Sequence, residues 1–267
     1  MSGLLLTALS SGLFAGIVAS LVTVAIEKLG GKAGGILATI PSTIVPASVG
    51  LGLHLHGGDL TKAMFSVPIG MLVDGVFLLQ WRHLPPRLPA WSLRARLAFM
   101  MVESMVVWLV LSGGVALAAE VVLDTVAHVR IVGTVCMSVS VVLGARACWS
   151  MPAAPKASTK VPARVLVLRG VFAACGIFVS VMLTNVGSVL AGLMSTFPSI
   201  FMTTMVALWL SQGEAVPVGA VGPMMFGSVS VPAFAVMFSV VEPKVGPWAA
   251  ACICWVLAVL CVSVPAY

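Results

Sequence analysis

Gly34-Gly35-Ile36-Leu37-Ala38-Thr39-Ile40-Pro41-Ser42 and Ala191-Gly192-Leu193-Met194-Ser195-Thr196-Phe197-Pro198-Ser199 align without a gap, and Gly35/Gly192, Thr39/Thr196, Pro41/Pro198 and Ser42/Ser199 coincide. The match continues outward. Upstream, Gly12-Leu13-Phe14-Ala15 resembles Gly170-Val171-Phe172-Ala173; downstream, Gly57-Gly58-Asp59 stands where Gln212-Gly213-Glu214 stands, and Pro68 falls opposite Pro223. Equivalent positions are 158 residues apart at Gly12/Gly170 and 155 apart at Pro68/Pro223. An ordered series of matches therefore runs through three consecutive apolar segments, which is the signature of an internal repeat.

Composition sets the medium in which those segments fold. The chain has 267 residues, 60% hydrophobic and 8% charged, with a mean hydropathy of +1.16. A soluble domain carries about 25% charged residues, so this chain cannot cover its own surface with polar groups. A soluble enzyme, a nucleic-acid-binding domain and a disordered chain are excluded. A helix crossing a hydrocarbon core of about 30 Å takes about 20 residues. Nine stretches qualify: Leu4–Ile26, Gly34–Leu53, Ala63–Trp81, Leu97–Ala119, Ile131–Trp149, Val165–Thr184, Val189–Leu210, Ala215–Val241 and Pro247–Val264. We number them spans 1 to 9. They lack the alternation of barrel strands, and lipid cannot satisfy an open backbone. The expected fold is all-α, a polytopic transmembrane bundle of about nine helices. Met1-Ser2-Gly3 offers no cationic leader, so span 1 is expected to stay in the mature protein.

Loop charges predict orientation. Alternate loops place Lys28, Lys32, Arg82, Arg87, Arg94, Arg96, Arg146, Lys156, Lys160, Arg164 and, just inside span 6, Arg169 on one side, against Lys62, Arg130 and Lys244 on the other. Cytoplasmic loops carry the Lys/Arg excess, which puts the N-terminus outside and the C-terminus in the cytoplasm. Trp81, Trp91, Trp149, Trp209 and Trp248 fall near span ends, where aromatic belts form. The 82–96 loop, with Pro85-Pro86, Pro89 and four Arg, reads as a stiff connector at lipid headgroups.

Five spans precede the second copy, an odd number, so spans 1–3 and 6–8 are expected to run in opposite directions. That is an inverted-topology repeat about an axis in the membrane plane. Spans 5 and 9 correspond as closing helices, and span 4 is unpaired. The organisation is residues 1–150 as a first membrane repeat of five helices, 165–267 as a second of four, and 151–164 as an inner linker.

Leu190-Ala191-Gly192-Leu193, Phe197-Pro198, Gly213 and Pro232 resemble the small four-helix GlpM-type membrane proteins, best over about 165–265. The first half carries Ile40-Pro41 where the second has Phe197-Pro198. The resemblance implies a tandem of four-helix units and carries no defined activity.

A charge at membrane depth costs at least about 2.5–3.5 kcal/mol on insertion scales, so each needs a reason. Asp74 lies seven residues before Trp81, Glu103 six after Leu97, and Arg169 enters span 6 from the same side. At 1.5 Å per residue the two acids sit roughly 9–10 Å deep and the base roughly 6 Å. Either the carboxylates form a proton- or cation-linked site with Arg169 as charge partner, or Asp74 and Arg169 are a buried structural pair, or Arg169 snorkels.

Thr39, Pro41, Ser42 and Thr43 in span 2 and Thr196, Pro198 and Ser199 in span 7 are the second candidate group. Pro frees a backbone carbonyl, nearby hydroxyls can bind freed groups or a ligand, and interrupted helices in two inverted halves point to a transporter's binding site. Kinks that merely aid packing are the alternative. His54, His56 and Asp59 are a sparse donor set, and their counterpart Ser211-Gln212-Gly213-Glu214 has no His. The six Cys show no CxxC and read as packing residues. No metal or cofactor is implied.

The leading reading is a small secondary transporter or facilitator of an unidentified solute, proton- or cation-coupled, with its site between the repeats near the midplane. The alternative is a non-transporting membrane subunit or assembly protein. An enzyme is not expected: Tyr-Asp and Gly-x-Gly-Asp motifs are absent. Expected partners are the lipid bilayer and a small molecule or ion, not nucleic acid; oligomeric state stays open.

Overall fold

The computed structural model describes residues 2–29, 40–149 and 163–265. Among them no strand occurs, and seven helical segments are long and apolar enough to cross a membrane, with the shorter apolar Pro247–Ser263 at the end. The protein is an all-α, multi-pass integral membrane bundle. Its helices are α1 (Ser2–Leu29), α2 (Ile44–Gly52), α3 (Gly57–His83), α4 (Leu93–Val122), α5 (Val126–Trp149), α6 (Ala163–Met182), α7 (Ser188–Met194), α8 (Ser199–Gln212), α9 (Ala215–Gly227), α10 (Ser230–Val245) and α11 (Pro247–Ala258). Spans 7 and 8 are each two helices, α7–α8 and α9–α10. The linker 151–162 and the first part of span 2, including Thr39, lie outside the described residues.

Helix ends gather on two faces. On one, Arg96 pairs with Glu214 at 3.1 Å and Arg82 Nη1 donates to the Ala147 carbonyl at 3.1 Å. On the other, Lys62 donates to the Asp124 carbonyl and Gly52 abuts Pro247. We call the first the arginine face. Helix α3 is the most enclosed span and forms the bundle's axis, whereas most of α4 and α5 faces outward, where lipid lies.

Small residues set the crossing of α1 with α6. A Cβ on Gly12 would come 2.7 Å from the Ala174 carbonyl oxygen, and one on Gly16 would come 2.7 Å from that of Gly170. Numbers rise along α1 as they fall along α6, so the two helices are antiparallel. Backbones approach this closely in membranes because small residues permit it. The repeat equates Gly12 with Gly170 and Gly16 with Ala174. Exchanging these aligned positions turns the first contact into the second.

Trp81 and Trp209, expected in an aromatic belt, are fully buried and meet edge to face with centroids 5.9 Å apart. Span 3 is the core, so Trp81 at its end has no lipid to reach. Trp91, Trp149 and Trp248 are exposed.

Candidate functional site

Span 7 is broken, not merely kinked, at Pro198, and the chain at Pro41 in span 2 is non-helical too. Ser42 N–H donates to the Ile40 carbonyl at 2.8 Å and Ser199 N–H to the Phe197 carbonyl at 2.7 Å, the same tight turn at equivalent positions. Pro disfavours helical geometry at the residue before it and lacks an N–H itself, so no helix runs through Ile40–Pro41 or Phe197–Pro198, and helices begin at Ile44 and Ser199. These helices are α2 and α8. Neither has a side-chain cap at its N-terminus.

Both breaks line one cavity of about 330 Å³. Ile40, Ser42, Thr43 and Ile44 face it from the first break, and Phe197, Ser199, Ile200 and Phe201, their equivalents 157 residues on, face it from the second. Asp74 of α3, Arg169 of α6, and Thr196 and Pro198 of the second break complete its polar and turning elements. From the breaks the lining runs through Thr23, Thr204 and Ala207 toward the arginine face. In the other direction α1, α2 and α6 close on one another: a Cβ on Gly50 would come 2.6 Å from Ser11 Oγ and 2.7 Å from Val181 Cγ2.

Asp74 is 1% exposed and its Oδ1 accepts a 2.7 Å hydrogen bond from the indole of Trp108 on α4. The Trp108 ring meets Phe197 edge-on at 5.4 Å, so one side chain ties the carboxylate to the break in span 7. Arg169 is held by hydroxyls: Nε donates to Thr203 at 3.0 Å, Nη1 to Thr23 at 2.7 Å and Nη2 to Thr204 at 2.6 Å. Asp74 and Arg169 thus share the cavity wall, one bonded to an indole and the other to threonine hydroxyls.

Of the residues singled out in the sequence, Asp74, Arg169, Ser42, Thr43, Thr196, Pro198 and Ser199 converge on the cavity. Pro41 is buried inside the first break and is not among the lining residues. Glu103 sits apart, where its Oε1 accepts from Gln80 Nε2 at 3.1 Å. Trp108, Thr23, Thr203 and Thr204 were missed. Trp108 carried a usable signal, because a Trp in mid-span cannot belong to an interfacial belt and its N–H needs an acceptor. The threonines carried none. His54, His56 and Asp59 form no metal-binding cluster, and no group of three potential ligands occurs among the described residues.

The protein family described as protein of unknown function (DUF3147) matches residues 6–84. That stretch begins in α1 and ends at the residue after α3, so it covers most of α1 and all of α2 and α3. Among curated proteins nothing matches, and among solved structures nothing matches.

Proposed function

We propose that this protein is a small secondary transporter or facilitator, in which two inverted repeats move about the cavity between spans 2 and 7. The observation that carries the reading is that four equivalent positions of the two breaks line the same cavity. The antiparallel, exchangeable α1–α6 contacts support an axis in the membrane plane. In this reading the halves are a tandem of GlpM-type units, the arginine face is cytoplasmic under the positive-inside rule, the N-terminus is outside, and the chain performs no catalysis.

Alternating access gives the asymmetry of the cavity a meaning. The closed contact Gly50–Ser11–Val181 has as its repeat equivalents Ala207, Arg169 and Thr23, and all three of these line the cavity. One half of the pair packs directly, while the other borders the cavity and is bridged by Arg169 to Thr23 and Thr204, an asymmetry expected of one state in a two-state cycle. Asp74 supplies coupling to a proton or cation at the wall of this cavity; Glu103, off the cavity, plays a lesser part.

The test needs no knowledge of the solute. In a background with the six native Cys replaced, Ser42→Cys and Ser199→Cys are labelled with a membrane-impermeant thiol reagent from either side of sealed vesicles. A transporter exposes both positions to reagent from the cytoplasmic side, and to the opposite side once the cycle turns. Cysteines sealed from both sides mark a non-transporting membrane subunit instead.

A further inference from the structure

We infer that the cavity between the two breaks is a binding site for a small monoanion, with a short-chain carboxylate as the fitting class; the inference rests on the transporter reading for the role of the cavity and adds the charge of what it carries. Helices α2 and α8, of nine and fourteen residues, both begin at the cavity, at Ile44 and Ser199. The first N–H groups of a helix have no intrahelical partner, and these two helices lack side-chain caps. Ser199 N–H is taken by the Phe197 carbonyl and Pro46 has no N–H, which leaves the first-turn donors of Ile44, Val45, Ile200 and Phe201 available to a ligand.

The hydroxyls provide a second, independent observation. Ser42 and Ser199 are equivalent in the repeat, are 9% and 6% exposed, and both line the cavity. Neither side chain has a hydrogen-bond partner among the described residues. The carbonyl end that reaches the same cavity is treated differently. At the end of α7, Ser195 Oγ donates to the Gly192 carbonyl at 2.6 Å, Thr196 Oγ1 to that of Leu193 at 2.7 Å, and Ser180 Oγ to that of Ala191 at 2.7 Å. At this end the α7 carbonyls are satisfied within the protein, whereas the two serine hydroxyls are left open to donate, which favours a ligand that accepts.

Charge points the same way. Each helix N-terminus is equivalent to about half a positive charge, so the two together offset the Asp74 carboxylate on the same wall. About 330 Å³ is at the small end of ligand sites, which run to about 1,000 Å³. Ile40, Ile44, Ile200 and Phe201 make much of the remaining wall apolar, which suits a short alkyl group more than a fully hydrated multivalent ion.

The test is calorimetric titration of the full chain in lipid nanodiscs with sodium acetate and sodium nitrate in a sodium gluconate background. Tetramethylammonium gluconate and glycerol serve as cationic and neutral probes. We expect saturable binding of acetate or nitrate, weakened about tenfold or more in Ser42→Ala/Ser199→Ala, in keeping with loss of hydrogen bonds to a charged group. Ser199→Thr, which keeps the hydroxyl, should retain binding, and Ser138→Ala on outward-facing α5 should not change it. Absence of saturable anion binding, or anion binding indifferent to both serines, overturns the inference. If the cysteine labels at the same time report access from both sides, the transporter reading survives that failure; sealed cysteines would end both.

Discussion

The Trp108 indole donates to Asp74 Oδ1 at 2.7 Å, and this bond ties α4 to the wall of the central cavity. A carboxylate at membrane depth is expensive. Here a neutral donor on a neighbouring helix meets it, and the ring of that donor also touches Phe197 in the second break.

Removing the donor should therefore cost more than removing the charge. Trp108→Phe keeps most of the packing and leaves Asp74 without its bond, for an expected loss of about 1–3 kcal/mol. Asp74→Asn keeps an oxygen acceptor for the indole and should stay close to wild type in thermal stability. The same Asn variant should lose any pH dependence of solute flux if Asp74 is the coupling group. Equal destabilisation by both changes would show that the carboxylate is held by something other than Trp108.

Arg169→Gln should act independently of Asp74→Asn. The guanidinium bonds Thr203, Thr23 and Thr204, none of which is the bonded partner of Asp74. Loss of charge-assisted bonds should lower stability by about 1.5–3 kcal/mol, and the double variant should show the sum of the two effects to within about 0.5 kcal/mol. Recovery of stability in the double variant would instead reveal a direct ion pair.

The α1–α6 crossing should be intolerant of added carbon. Gly12→Ala and Gly16→Ala each place a methyl 2.7 Å from a backbone carbonyl oxygen, and backbone cannot swing aside as a flexible side chain can. Thermal denaturation should register a loss of about 1–3 kcal/mol for each. Gly113 and Gly114 on α4 meet nothing within 4 Å; Ala there should be neutral or stabilising by up to about 1 kcal/mol, the helix propensity of Ala over Gly.

Outside the spans, the turn between α4 and α5 holds a pH-dependent contact. His128 Nδ1 lies 2.6 Å from Asp124 Oδ1, and that hydrogen bond holds the Asp124 carboxyl below its usual value. A carboxyl depressed by folding adds stability above its unfolded value of about 3.9, and that contribution disappears as pH falls through the lower folded value. His128→Ala should return the Asp124 carboxyl toward the ordinary range in a pH titration followed by carboxyl-detected NMR. It should also reduce the loss of stability on acidification below about pH 4. The pair is exposed, so the effect should shrink as salt is added.

The sequence by itself determined the medium and the gross architecture. Hydropathy over 20-residue windows is a local property, because each apolar stretch must find lipid or another helix whatever its neighbours do; the all-α, multi-pass class was legible for that reason. The break points were legible too, since Pro41 and Pro198 act on the residues beside them. Which polar groups meet was not. Asp74 and Glu103 looked alike in depth, but rotation about the helix axis turns one to the cavity and the other to Gln80. Arg169 found threonines on α1 and α8, and Asp74 found a tryptophan on α4, because helix packing brings together residues 146, 34 and 35 positions apart. Span lengths fix how deep a residue lies; only the crossing angles and rotations of packed helices, set by contacts such as Gly16 on Gly170, fix what it faces.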